Sequence, residues 1–555
     1  MHGAQVIAES LKRQGVKCWF GMPGGHDELY LAVKDIGISS YLVHDEKNGA
    51  LMADGYSRAS FRPGVCTGGQ MAVPNMVAGM TEAFMSSIPV VAIAAQHDES
   101  ILDRNPHGGF VDHVSLFQTC TKWTHVLKKS DNISDIVARA FRFALSGRPG
   151  PVALIAPSDI MSEETASQIE KSSLQNYPLR IAPKTEDVRE AVHMLLAAER
   201  PIIIAGGGVL LSQAWDELAG VAETLMIPVA TTLMGKGALP EADPLYVGVV
   251  GSLCGGENGR GKVANKIVDE SDVVLLVGTK TDQPSTKGWT VPRQDSKIIH
   301  VDVDVQELGR NYPRTALGIV GDAKTTLVMI RDAAKNELQK SSKTPTNGRI
   351  KEIQKMTSDW RQSVSSVRNS NEKPIRPERI MKEVGSFVDA NSLLVADAGS
   401  ISLWAGNYID VAAKGRTQIY PRGLTALGSG YPIALGAQIG APERQVFSMH
   451  GDGAFSYTLG ELETAARCGI NVVSIVLNNK CLVWEKWDTE KAFGRYVDCD
   501  LTDVRFERMA QAAGCFGVRV TEPGELHEAI KAGLDSGKPA VIDVVTSSHA
   551  YPPYG

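Results

Sequence analysis

Short β-branched apolar runs recur along the chain, each followed by a stretch of helical pattern, and this alternation constrains the fold more than any other feature. VVAIAA from Val90, PIIIAGG from Pro201, VVLLVG from Val273, LLVAD from Leu393 and VVSIVLNN from Val472 have the length and composition of buried strands. Strands that alternate with helices pair in parallel, so the expected class is α/β with open parallel sheets. Two stretches rich in Ser, Thr, Lys, Asn and Pro interrupt the alternation, from Ser162 to Asp187 and from about Gln339 to Pro377. They read as linkers. A chain of 555 residues is too long for one core, and three α/β units are expected over residues 1–175, 185–340 and 370–555. Open parallel sheets bind ligands beyond the carboxyl ends of their strands, which directs attention to the residues just after each apolar run.

Composition removes several classes of function. A net charge of −6 with no basic run argues against a nucleic-acid partner. The run from Ile88 to Ala95 is among the longest apolar segments and is far too short to span a bilayer. Eight cysteines are scattered without a CxxC pair, which suggests neither a zinc site nor a disulfide framework and fits a reducing compartment. MHGAQVIAESLKRQG reads as an amphipathic helix rather than a signal peptide. A cytoplasmic enzyme is expected.

The segment QVFSMHGDGAFSYTLGELETAARCGINVVSIVLNNK carries the most chemistry. It reads as a strand ending at Met449, a tight Gly451-Asp452-Gly453 turn, a helix across ELETAARC, and a second strand ending at Asn478-Asn479. Neighbouring parallel strands would bring Asp452 and Asn479 to one edge of a sheet. Flanking glycines let backbone approach a phosphate, and a helix start offers free N–H groups. One carboxylate with one amide oxygen suits magnesium, which takes its other ligands from phosphate and water.

This arrangement resembles the diphosphate-binding signature of thiamine-diphosphate enzymes. The resemblance implies that Asp452, the Asn479 side chain and the Cys481 carbonyl hold Mg2+, with no role for the Cys481 thiol. WFGMPGGHDELYLAV, from Trp19, is similar to the FGxPGG turn of acetolactate-synthase-like members. YLVHDEKNGALMADGYSRAS, from Tyr41, is similar to their strand–Glu–helix segment, with Glu46 ten residues before Tyr56. In the family this glutamate is the catalytic group: it hydrogen-bonds the cofactor's pyrimidine and promotes loss of the thiazolium proton. Such a carboxyl benefits from burial, which raises its pKa, while a helix start favours the anion; the apolar neighbours Ala50, Leu51 and Met52 imply that burial wins. Asp45 competes for the ordinary helix-capping role. RGLTALGSGYPIALGAQIGAP, from Arg422, resembles the segment whose bulky side chain, here Leu427, wedges between the cofactor's rings.

By the same resemblance Pro23, Gly24, Asn75, Ser400, Leu427, Gly451, Asp452, Gly453, Ala454 and Asn479 contact the cofactor. Several loops depart from the family pattern. GGQMAVPN, from Gly68 to Asn75, stands for SGPGATN; Ser400-Ile401 replaces a Gln-His pair; and CLVWEKW, from Cys481, replaces HLGMVxQW. HGGFVDH, from His107, brings Phe110 and His113 toward the pocket by analogy, with His26 and His97 as further edge candidates.

Gly206, Gly207 and Gly208 follow a strand in the middle block, as in dinucleotide sites. FAD occupies this domain in some relatives, and ADP or nothing in others. GTKTDQPSTKG, from Gly278, replaces their GxRFDDRxTG with Lys280 at the arginine, so FAD is left open. The resemblance further implies a homodimer or homotetramer with active sites between subunits. It implies a transferase or lyase: an acetolactate-synthase-like decarboxylating carboligase on pyruvate or a related 2-oxo acid, with an aldehyde or oxo acid as partner substrate. Sulfoacetaldehyde acetyltransferase, hydroxyketone or diketone lyase and 2-oxo acid decarboxylase chemistry stay open on the same scaffold. More remote alternatives are a non-catalytic homologue and an NAD-dependent oxidoreductase using Glu223.

Overall fold

In the computed structural model, which describes residues 1–104, 106–165, 179–341 and 348–555, the apolar runs become strands of three six-stranded parallel sheets. The first contains β1 (Cys18–Gly21), β2 (Ser39–Leu42), β3 (Gly64–Gly68), β4 (Val90–Gln96), β5 (Trp123–Val126) and β6 (Val152–Pro157), ordered β2-β1-β3-β4-β6-β5. The second contains β7 (Ile202–Ala205), β8 (Val229–Thr231), β9 (Tyr246–Val249), β10 (Val273–Val277), β11 (Lys297–Asp302) and β12 (Thr315–Val320), ordered β12-β11-β10-β7-β8-β9. The third contains β13 (Ser392–Ala396), β14 (Gln418–Ile419), β15 (Gln445–Gly451), β16 (Val473–Asn478), β17 (Phe516–Val520) and β18 (Ala540–Val545), ordered β14-β13-β15-β16-β18-β17. β4, β10 and β16 are buried along their whole length, as strands covered by helices on both faces must be.

The first and third sheets share one topology, and the middle sheet has the order of dinucleotide-binding folds. In each sheet the strand order reverses beside its first strand, and the motifs sit there. β1 and β3 flank the first reversal, followed by Pro23-Gly24 and by Gly68 to Asn75. β7 and β10 flank the second, followed by the Gly206 cluster and Gly278. β13 and β15 flank the third, followed by Ser400 and Asp452. β15 runs two residues beyond Met449, to Gly451, and pairs with β16 so that Gly451 faces Leu477. That register puts Asp452 and Asn479 on one sheet edge.

Glycines set how closely the first and third units approach. The Glu46–Ser60 helix packs on the Gly430–Gly440 helix; a Cβ at Gly55 would overlap the Ile433 carbonyl, and one at Gly436 the Met52 carbonyl. No larger residue fits without moving backbone.

The second polar stretch is not a loose linker. A helix spans Arg349–Ser363 within it, and Ile353, Trp360 and Val364 are buried, with Met356 packed beside them. Their spacing makes an apolar stripe that the abundance of charged residues hides. Trp360 Nε1 donates to the Asn258 carbonyl (3.1 Å), and its ring lies 6.0 Å from that of Tyr408, tying the second unit to the third. Residues 166–178 of the first polar stretch lie outside the described residues, as do 342–347 of the second. Among the described residues no helix is long and apolar enough to cross a membrane.

Candidate active site

The predicted residues form two groups on two sheets. In the third unit, Ser400, Leu427, Gly451, Asp452, Gly453, Ala454, Asn479 and Cys481 line one cavity of 230 Å³, walled by Ile401, Trp404, Val483 and Trp484. Asp452 begins a short helix, Asp452–Ser456, and is 4 % exposed. One carboxylate oxygen accepts from the Gly453 N–H (2.8 Å) and the other from the Lys480 N–H (2.6 Å). Burial pushes the carboxyl up to about 6, against those backbone donors. The side chain has no ion pair among the described residues, so a buried acid stands without a counter-charge.

The two asparagines that end the strand have divergent tasks. Asn478 turns inward, donating to the Val504 carbonyl (2.9 Å) and to Asp543 (3.0 Å). Asn479 faces the cavity, its amide oxygen accepting from the Cys481 N–H (3.1 Å). Lys480, between Asn479 and Cys481, has φ 61°, a left-handed conformation that reverses the chain there. Burial pushes the Cys481 thiol up to about 11, which keeps it protonated and leaves its backbone carbonyl as the useful group. Behind β15, His450 Nδ1 pairs with Asp397 (3.0 Å), both fully buried, and its Nε2 bonds Ser448 (2.9 Å), bracing the strand that presents Asp452.

Pro23, Gly24, Glu46 and Asn75 gather at the edge of the first sheet and do not line that cavity. The Gly24 turn packs on the turn after β3: a Cβ at Gly69 would overlap the Gly24 carbonyl. His26 locks the turn, bonding the Gly24 carbonyl (3.1 Å) and Thr67 (3.0 Å), and burial lowers its pKa. Asp45 caps the helix by accepting from the Lys47 N–H (2.8 Å). Glu46 is thereby free to accept from Asn75 Nδ2 (3.1 Å). Ala50, Leu51 and Met52 are buried as expected, but Glu46 itself is only half-buried. As the helix's first residue it stands where the helix emerges from the sheet edge, so its own chain does not supply the cover that its expected role requires. His97 and His113 are buried, and Phe110 is exposed.

One group of residues escaped the sequence reading. Glu82, in the Val73–Ser86 helix and fully buried, accepts from the backbone N–H groups of Gly423 (3.1 Å) and Leu424 (2.7 Å), and from Arg58 (3.2 Å). Arg58 is held by Asp54 (2.5 Å). This buried triad clamps the loop that carries Leu427 to the first unit. Its only sequence trace is Asp54 and Arg58 at i,i+4 in ADGYSRA.

A second cavity, of 300 Å³, lies where all three units meet. Its lining includes Arg148, Gly207, Gly208, Lys280, Asp302 and Arg422. Lys280 Nζ donates to the Met85 carbonyl, and burial lowers it to about 8. Glu223 is exposed and lies outside this lining, so the acid required by an NAD-site reading is not in place. Burial pushes Asp302 up to about 6, with Glu307 and Asp304 adding to the shift. An unfolded aspartate ionises near about 3.9, so folding favours the protonated form, and stability falls as pH rises from there through 6. Asp302→Asn is accordingly expected to raise the melting temperature at neutral pH by a few degrees, for about 1–3 kcal/mol. Thermal unfolding of both proteins should show that gain vanish at about pH 4; an equal gain at both pH values would mean that charge is not the cause.

Fold and site together give three parallel α/β units with a glycine-flanked turn and a buried acid at the sheet edge of the third. Residues 1–116 match the family model for the thiamine pyrophosphate enzyme N-terminal TPP binding domain, residues 188–330 the central domain, and residues 397–544 the C-terminal TPP binding domain. A probable acetolactate synthase large subunit of Methanocaldococcus jannaschii is 33 % identical over 98 % of this chain and 92 % of its own. Acetolactate synthase large subunits of Buchnera aphidicola and Corynebacterium glutamicum are 30 % and 31 % identical, over 100 % and 99 % of this chain and 96 % and 87 % of theirs. The chain belongs to the thiamine-pyrophosphate (thiamine-diphosphate) enzyme family, as an acetolactate-synthase-like member.

Proposed function

We propose that the chain is a magnesium-dependent decarboxylating carboligase acting on pyruvate or a related 2-oxo acid, and that it works as a homodimer or a dimer of dimers. The observation that carries the reading is Asp452: a buried, uncompensated carboxylate beside the Asn479 amide oxygen, at the mouth of a glycine-flanked turn. The donors suit Mg2+. The Asp452 oxygens accept from the Gly453 and Lys480 N–H groups, and the Asn479 oxygen from the Cys481 N–H and, weakly, its thiol (3.5 Å); these are hard oxygen donors of the kind magnesium takes.

Bound thiamine diphosphate supplies the carbon nucleophile and the electron sink needed for loss of CO2 from a 2-oxo acid. The chain's own residues do the rest. Asp452, Asn479 and the Cys481 carbonyl hold the ion, and the Gly453 and Ala454 backbone accommodates diphosphate. Pro23, Gly24 and Asn75 form the wall around the pyrimidine, and Ser400 borders the diphosphate. Leu427 fixes the ring orientation from a loop clamped by Glu82. Trp404, Trp484 and Val483 keep water from the reacting carbons. Glu46 holds and releases the proton that activates the pyrimidine. Because Glu46 and the Asp452 cavity do not meet within one protomer, Glu46 of the partner subunit serves each cavity, and the same contact completes its burial. The overall reaction is redox-neutral and asks nothing of the central cavity, so FAD is not required for electron transfer.

Purified protein given pyruvate, thiamine diphosphate and magnesium is expected to release CO2 and form acetolactate or acetoin, only when both additions are present. No CO2 release, with cofactor binding established by titration, would overturn the pyruvate reading in favour of sulfoacetaldehyde or diketone chemistry.

A further inference from the structure

Arg422 lies in the loop between β14 and the Gly430–Gly440 helix, and it lines both the Asp452 cavity and the central cavity. A guanidinium therefore stands in the wall between the two spaces, five residues before Leu427. The loop holds it firmly. Glu82 binds the two N–H groups that follow, and a Cβ at Gly423 would crowd Ser86 Oγ (2.6 Å) and the Glu82 carbonyl (2.8 Å).

Among the described residues the Arg422 guanidinium has no ion pair, and its hydrogen bond is a neutral one, NH1 to Ser402 Oγ (3.3 Å). A guanidinium offers five donors. Burial lowers its pKa, opposed through space by Asp282 and Glu82. Glu82 is committed to Arg58, Ser86 and the loop backbone, whereas Asp282 accepts from the Ser285 N–H (3.0 Å) through one oxygen and acts on Arg422 only through space, from the wall of the central cavity. A half-buried guanidinium with free donors, lining a cavity whose wall joins Ile401, Trp404, Val483 and Trp484 to the acids Asp452 and Glu485, has the geometry to take an anion from outside the chain.

The chemistry limits which anion that is. The carboxylate lost as CO2 gives up its charge on the way to the transition state, so a strong pair with arginine would hold the ground state back. The fitting partner is an acidic group that keeps its charge throughout. We propose that Arg422 is a specificity-determining residue that binds a retained acidic group, a carboxylate or sulfonate, of the substrate. This rests on the carboligase reading of the neighbouring cavity. Two sources share that chemistry: the far end of an acidic 2-oxo acid donor, or the carboxylate of an oxo acid acceptor. In the acceptor case one carbon–carbon bond forms at its carbonyl carbon, the C=O π pair moves to oxygen and takes a proton, and the carboxylate is untouched.

The test uses holoprotein and Arg422→Gln, with Arg422→Lys to retain the charge and Ser402→Ala to remove only the internal hydrogen bond. In the donor arm, CO2 release is compared for 2-oxopentanoate and 2-oxoglutarate, which have equal chain length and differ in the terminal carboxylate. In the acceptor arm, with pyruvate as donor, oxo acid and acetaldehyde acceptors compete and the carboligation products are quantified. Arg422→Gln is expected to raise KM for the acidic partner in one arm by about tenfold or more, with less than about twofold on the neutral one, and Arg422→Lys to recover part of the loss. Equal changes for acidic and neutral partners in both arms would overturn the proposal. A titration with unreactive glutarate, followed by tryptophan fluorescence, needs no turnover: loss of its binding in Arg422→Gln supports Arg422 even if no 2-oxo acid is decarboxylated. Glutarate affinity that is nil in both proteins or equal in both, without discrimination in either arm, would sink it. Circular dichroism of each variant separates misfolding from loss of recognition.

Discussion

Glu46→Gln is expected to lower the rate of CO2 release by about 10²–10⁴-fold, the range of a lost proton-transfer group, while the protein stays folded and binds thiamine diphosphate. Glutamine has the same shape, and its amide oxygen can still accept from Asn75. The helix keeps its cap, because Asp45 and not Glu46 binds the Lys47 N–H. Losing an acid from a first turn costs only about 0.3–1 kcal/mol. What the amide cannot do is share and release a proton. Initial rates of CO2 release, set beside a calorimetric titration of the cofactor, decide the matter. Turnover within a few fold of the parent would remove Glu46 from the mechanism; lost cofactor binding would reassign it to affinity.

Asp452→Ala is expected to weaken magnesium and thiamine diphosphate together, each by at least about tenfold, because this carboxylate is the only full negative charge that the proposed metal site receives from protein. The variant also leaves the Gly453 and Lys480 N–H groups without their acceptor, so the unfolding transition of the metal-free protein must be compared first. Calorimetry of magnesium at saturating cofactor, and of cofactor at saturating magnesium, reads the coupling directly. Cofactor affinity unchanged from the parent would mean that the ion lies elsewhere.

Much of this architecture was legible in the residues. The runs from Val90, Val273 and Leu393 became strands because β-branched composition and length agreed with full burial. Asp452 and Asn479 were brought to one cavity because a β-α-β unit in parallel register leaves little other choice. Two other glycines had a role that the residues alone did not announce. Gly55 and Gly436 serve helix-to-helix contact between units, a requirement set by a partner segment far away in the chain. The stretch after Gln339 was misread because Lys, Ser and Glu outnumber the apolar stripe of its helix. Glu82 stayed hidden for a related reason. A lone acid in VPNMVAGMTEAFMS looks like any exposed helix residue, and its partners Gly423 and Leu424 are more than three hundred positions on. The half-burial of Glu46 belongs to the same class, since under the proposed function its cover comes from a partner subunit.

The shared strand order of the first and third sheets has a consequence for how such a chain can vary. One strand order occurs twice, and the proposed function gives its reversal point the proton relay in one unit and the diphosphate in the other. Neither copy carries a complete set of tools, so a substitution tolerated at a given topological place in one need not be tolerated at the matching place in the other. The two units touch along the glycine seam and at the Glu82 clamp, and a change at either contact would be felt on both sides at once.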